Sequence, residues 1–231
     1  MVAVHRTSAF LIMAIVVLLA PVPPVQSADG PEQEFVLYAA ATVQQFTEDP
    51  NLRYFRTKAR DARALFIVPE ILRGAFFVGA SSGSGVLMVR KRDRDTWNGP
   101  VFYRLGGASF GLQMGADAAQ VIFLIMNDRG LESFYRSSVK LGLDASIAAG
   151  SEGSGVGAET SPALNADILV FSRSKGGYMG VSFEGTAVYV ADKSNEAYYG
   201  QPIQPVEILE KDTTRDPGAA PLLQTLAGLT K

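Results

Sequence analysis

The chain reads as an α+β protein built on an antiparallel, strongly curved sheet, barrel- or sandwich-like, with N-terminal helices and one short mid-chain helix. Three observations predict this. Before residue 66 the apolar residues recur at steps of three and four, the period of a half-buried helix. From Gly74 onward they alternate with polar or small residues in short runs, the period of a half-buried strand. Turn residues separate those runs with no long helices between them, which argues for antiparallel pairing rather than parallel βα units.

Residues 1–28 have the three parts of a secretory signal. His5 and Arg6 precede an apolar run from Ala9 to Ala20, and Pro21 to Ala28 follow, with Val25, Ser27 and Ala28 suited to cleavage after Ser27 or Ala28. The run is short for a bilayer span. A cleaved signal and a periplasmic or secreted mature chain are therefore expected.

Residues 29–66 are expected to be a helical segment packed on the domain. The first helix, Asp29 to Glu48, carries Phe35, Ala39, Thr42 or Val43, and Phe46 at helical spacing, and Asp49, Pro50 and Asn51 break it. The second, Leu52 to Phe66, carries Leu52, Phe55, Ala59, Ala62 and Phe66 in one stripe, with Arg53, Arg56, Arg60 and Arg63 one position on. Residues 67–210 make the glycine-rich β domain. Strands are expected at 86–90, 101–105, 109–115, 118–126, 144–149, 168–172, 179–184 and 186–191, with a short helix near 130–139. Gly150 to Thr160 reads as an exposed loop, and 211–231, with Pro217 and Pro221, as a loosely attached tail.

Composition excludes much chemistry. There is no cysteine, and the one histidine, His5, lies in the expected signal, so thiol nucleophiles, thiolate metal sites and histidine-based triads are ruled out of the mature chain. Ser137 with Lys140 and Ser172 with Lys175 have Ser-x-x-Lys spacing, but no Ser-Asp-Asn or Lys-Thr-Gly accompanies them. The glycine-rich stretches contain no phosphate-loop pattern. Asp192, Ser194 and Glu196 lack the glycine and distant glutamate of an EF-hand and read as a turn with capping groups. No catalytic residue, metal site or cofactor is expected, and the chain is read as a non-enzyme.

The charge is near balance, with a formal net of −2, which removes the global argument for a nucleic-acid partner. Locally it is segregated. Arg53, Arg56, Lys58, Arg60, Arg63, Arg73, Arg90, Lys91, Arg92 and Arg94 face only Asp61, Glu70 and Asp93 over that stretch. A basic amphipathic helix beside a basic turn is a membrane-surface element, so these residues, with Lys175, are the expected contacts to anionic lipid. Trp97, beside the basic turn, suits either a lipid interface or the core.

The order and spacing of several motifs resemble the SYLF-domain family: Gly83-Ser-Gly-Val-Leu-Met-Val-Arg90, Trp97-Asn-Gly-Pro100, Gly111-Leu-Gln-Met-Gly-Ala116, Lys140-Leu-Gly-Leu-Asp-Ala-Ser146, Ser172-Arg-Ser-Lys-Gly-Gly-Tyr-Met-Gly180, Val181-Ser-Phe-Glu-Gly185, then Asn195 and Tyr199-Gly200. The resemblance covers about Ala62 to Gly200. It implies binding of phosphoinositide or other anionic lipid, with actin as a further partner of eukaryotic members, and it places Leu52 to Phe66 at the lipid. It is weakest at Ala149 to Gly153, which is acidic here. The expectation is thus a non-catalytic lipid-binding protein of the bacterial envelope, with actin unlikely as a partner. The alternative is an envelope structural or adaptor protein that binds a protein.

Overall fold

The computed structural model describes residues 30–75, 78–92, 96–110, 115–150, 165–174, 183–211 and 218–229. The expected signal, most of the loop at 150–160 and most of the strand expected at 179–184 lie outside these residues. Within them the order is α1 (Pro31–Glu48), α2 (Arg53–Asp61), β1 (Ala64–Ala75), β2 (Val78–Arg90), β3 (Trp97–Phe110), β4 (Gly115–Ile125), α3 (Asp128–Ser133), β5 (Ser138–Lys140), β6 (Ile147–Ala149), β7 (Ile168–Ser174), β8 (Ala187–Val190), α4 (Asp192–Tyr199), α5 (Pro205–Glu210) and α6 (Ala220–Leu229). No described helix is long and apolar enough to cross a membrane.

The strands form one sheet in the order β5-β8-β3-β2-β1-β4-β7-β6, antiparallel except between β6 and β7. The α+β expectation holds. A closed barrel does not form: the sheet ends in two three-residue strands, β5 and β6, which lie at opposite edges of an open, curled half-barrel.

Both faces of the central strands are buried near the helices. Leu65, Ile67, Val86, Met88, Ile122, Leu124 and Phe171 point into a core shared with α1, α2 and α6. Their neighbours Phe66, Val68, Leu87, Val89, Val121, Phe123 and Val170 point into the second core, with Phe134, Phe183 and Ile208. A strand dry on both sides is a continuous apolar run without alternation. That explains the main misreading. The helix expected through Phe66 stops at Asp61, and Ala64 already starts β1, because Ala-Leu-Phe-Ile-Val at 64–68 is a doubly buried strand.

Other elements also differ from the expectation. The strands expected at 101–105 and 109–115 are not separate: 97–110 is the single strand β3. The helix expected near 130–139 is the shorter α3, followed by β5. The strand expected from Asp144 shrinks to β6. The turn expected around Asp192 is the helix α4, closed by Gly200 at φ +72°, the left-handed position glycine favours. The tail is not loosely attached between 219 and 229: Ala219, Leu222, Leu226 and Leu229 are buried, and Gln33 Nε2 donates to Gly218 O at 2.5 Å. Pro221 falls in the first turn of α6, where its missing N–H costs nothing. Trp97 belongs to the core, 6 % exposed.

Pro69 sits inside a central strand, which is tolerated because β1 breaks register there, between Ile67 and Glu70 against β2 and between Val68 and Ile71 against β4. Opposite it, Gly85 is required, since a β-carbon would come within 2.5 Å of the Phe66 ring and 2.7 Å of Ile67 O.

Two polar groups fasten the sheet. Asn195, fully buried on α4, uses its side-chain amide as a strand would: Oδ1 accepts from Phe102 N at 2.8 Å, and Nδ2 donates to Phe102 O at 3.2 Å. Asp167, 1 % exposed, accepts from Asn127 Nδ2, Arg129 Nε, and both the N–H and hydroxyl of Ser146, at 2.8 to 2.9 Å. Burial disfavours its charge, but the hydrogen bonds from Arg129, Asn127 and Ser146 outweigh that and hold the carboxyl at about 2.

A carboxyl held below its unfolded value of about 3.9 contributes stability that is present above that value and is lost as pH falls toward the folded one. Urea denaturation should therefore show stability falling between about pH 4 and pH 2. Asp167→Ala should cost about 3 kcal/mol at neutral pH, because it strands the donors around it, and should flatten that acid slope.

Candidate functional site

The basic residues do not form one cationic face. Arg56 Nη1 donates to Thr47 O and Asp49 O, each at 2.9 Å, at the end of α1 where carbonyls lack partners and the helix dipole favours a cation. Arg90 does the same for α2, donating to Arg60 O and, at 3.2 Å, to Ala59 O, while its guanidinium lies 4.9 Å from the centre of the Trp97 ring. Arg63 donates to Asp128 at 3.0 Å and to Arg90 O at 3.1 Å, and Arg92 takes the other Asp128 oxygen. These hydrogen bonds lower the Asp128 carboxyl below its ordinary range.

The remaining candidates scatter. Lys58 lies 5.5 Å from the centre of the Tyr54 ring. Arg73 lies over Phe183, in the core on the far side of the sheet from α2. Lys91 is half-buried. Arg53 and Arg60 alone among those on α2 are exposed. Arg94 and Lys175 lie outside the described residues. Of the serines weighed for chemistry, Ser137 is exposed before β5 and Ser172 half-buried on β7. Among the described residues, no group of acids is placed to hold a metal ion.

A different surface emerges from the sheet. α1 lies across the strands: Pro31 and Phe35 line a cleft of about 140 Å³ with Ser84 of β2 and Arg104 of β3, and Gln45 lines one of about 470 Å³ with Glu70 of β1, Gln120 of β4 and Arg173 of β7. The geometry is consistent: fourteen helical residues rise about 21 Å, and four strand spacings from β3 to β7 span about 19 Å. α1 therefore forms a wall, and beyond it no helix of the described residues lies on the same face of the sheet.

That floor is exposed. Alternation from the buried Ile71, Gly85 and Tyr103 puts Leu72, Ser84, Ser82 and Arg104 on the helix side, and all four are exposed. Register aligns Tyr189, Arg104, Ser84 and Glu70 in one row across β8, β3, β2 and β1, and Gly106, Ser82, Leu72 and Ala118 in the next across β3, β2, β1 and β4. Leu72 is 58 % exposed and Tyr189 51 %. On the wall, Phe35, Tyr38, Thr42 and Gln45 share one stripe of α1, with Tyr38 56 % exposed between the two clefts.

At the larger cleft Arg173 is fixed by Asp49 at 3.3 Å, Gln45 at 2.8 Å and Gln120 at 3.2 Å. Sequence reasoning missed this trough because an apolar residue on the open face of a strand is patterned like one in the core. Its one signal was the run of small residues Gly79-Ala-Ser-Ser-Gly-Ser-Gly85, which leaves the floor flat.

A family model described as Ysc84, Las17-binding protein actin regulator, matches residues 106–229. Protein YSC84 of Saccharomyces cerevisiae is 30% identical over 168 residues, covering 71% of this chain and 36% of that protein. LAS seventeen-binding protein 3 of the same yeast matches to the same extent. SH3 domain-containing YSC84-like protein 1 of Homo sapiens is 27% identical over 171 residues, 74% of this chain and 49% of that protein. The chain thus spans about half or less of these relatives' length. The family description is that of a binding and regulatory protein, and one of these relatives is named for binding. The expectation of a lipid partner with the actin machinery set aside is overturned by them, since one relative is named for binding Las17 and the family is described by Las17 binding and actin regulation.

Arg90→Ala should lower stability to urea by about 1 to 2 kcal/mol, because the last carbonyls of α2 lose their donor. Arg53→Ala and Arg60→Ala should change it by less than about 0.5 kcal/mol.

Proposed function

This chain belongs to the Ysc84 family, and from that premise we propose that it is a non-catalytic protein-binding module whose contact surface is the trough between α1 and the open sheet face. The observation that carries this reading is the exposed floor itself, where Leu72 and Tyr189 lie on a flat, small-residue sheet beside Tyr38. Mixed apolar and polar surface of this kind, with aromatic side chains at its borders, suits a protein interface. Two further observations support it. Arg56, Arg63, Arg90 and Arg92 are held by acceptors within the fold, so these four guanidinium groups are not freely offered to an anionic membrane. The relatives' names supply the class of partner, a protein, and not its identity.

For residues 1–28 the proposal keeps cleavage and export, on their composition alone. The mass of the N-terminal peptide of chain recovered from expressing cells tests this, and an unprocessed chain removes it.

The binding reading predicts that immobilised folded chain retains a protein from a cell-envelope extract at about 0.15 M salt. Leu72→Asp should reduce retention at least tenfold, and Arg53→Glu with Arg60→Glu should leave it unchanged. Sedimentation of the chain with phosphatidylglycerol vesicles at that salt, with no protein retained, would overturn it.

A further inference from the structure

The helix layer on this face of the sheet is half complete. α1, α2 and α6 cover the strands on one side of the row Arg104, Ser84, Glu70, while no helix of the described residues covers the row of Gly106, Ser82, Leu72 and Ala118. A sheet face buries its apolar side chains against a helix or a second sheet. With α1 standing as a wall along one side, a helix laid beside it would continue the helix layer on this face. Small side chains at Ser82, Ser84 and Gly106 allow a helix backbone to come close.

The charges along the floor add a measure of length. Glu70 and Arg104 are exposed, and neither side chain has an ion pair or hydrogen bond among the described residues. They share one row, separated by Ser84 of β2, so two strand spacings of about 4.8 Å place them about 10 Å apart along the direction of α1. Two residues seven apart on a helix rise about 10.5 Å and return to the same face. Opposite charges at that spacing match Arg104 and Glu70 in either helix direction, with the apolar stripe over the adjoining row that holds Leu72 and Ser82.

Resting on the protein-binding reading, we propose that the trough receives one amphipathic α-helix of a partner protein, laid alongside α1, with an acidic residue over Arg104 and a basic residue seven positions away over Glu70. The partner helix completes the layer that α1 begins. This is recognition by helix in groove, with specificity set by the sign and spacing of two charges.

The test uses the whole folded chain and three synthetic sixteen-residue helices that share a leucine stripe and differ only at positions 4 and 11: Glu with Lys, Glu with Glu, and Lys with Lys. Fluorescence anisotropy should show the mixed peptide binding at least tenfold more tightly than either like-charged one. Glu70→Lys should transfer the preference to the Glu/Glu peptide and Arg104→Glu to the Lys/Lys peptide. Moving the lysine from position 11 to position 9 should remove the advantage, and Leu72→Asp should weaken all binding at least tenfold. All substituted positions are exposed, and unchanged thermal unfolding verifies that the variants fold. Equal affinity for the three peptides, a preference that ignores Glu70→Lys, or no saturable binding overturns the proposal. If envelope protein is still retained in a Leu72-dependent manner while every peptide fails, the helix falls and the protein-binding reading stands.

Discussion

Burial of the central strands on both faces is the constraint from which the remaining structure follows. Once Leu65 and Ile67 are covered by the helices and Phe66 and Val68 by the second core, the Ala64–Val68 half of β1 has no wet side. Every main-chain group near it must then be paired inside the protein, since an unpaired buried N–H or C=O is costly. The asparagine that stands in for a strand, the aspartate with its ring of donors, and the arginines on helix-end carbonyls are all answers to that demand.

This explains what could be read from the residues alone and what could not. α1 was legible because only one side of it is dry, so Val36, Ala39, Val43 and Phe46 keep helical spacing. The α+β class and the approximate places of β2, β4 and β7 were legible for the parallel reason, with turn residues marking their limits. β1 was not, because a strand buried on both sides has no period, and its first apolar residues happen to continue the spacing of the helix before it. α6 was hidden by two prolines that usually announce a break, one of which falls in the tolerated first turn.

The candidate site was less legible, for a chemical reason. Composition gives the number of guanidinium groups but not their acceptors, and here many acceptors are main-chain carbonyls, which every residue carries and no motif reveals. Arg56 and Arg90 therefore count as surface charge in the sequence and as helix caps in the fold. Two charges on the open sheet face, Glu70 and Arg104, are thirty-four positions apart in sequence and share a row only because of the register of β1, β2 and β3. The family was legible because its glycine motifs are tied to close approaches such as that of Gly85 to Phe66.

The pairing of Asn195 with Phe102 reaches beyond the stability of one molecule. Between Trp97 and Phe102 the side of β3 turned away from β2 meets no strand, since β8 joins only at Tyr103 to Gly106. An open border of that kind is an invitation for chains to stack end on end into fibres. By meeting Phe102 with the Asn195 amide and the Ala191 N–H, and Pro100 O with the Tyr199 hydroxyl, the fold caps that border with side chains and a turn instead of another strand.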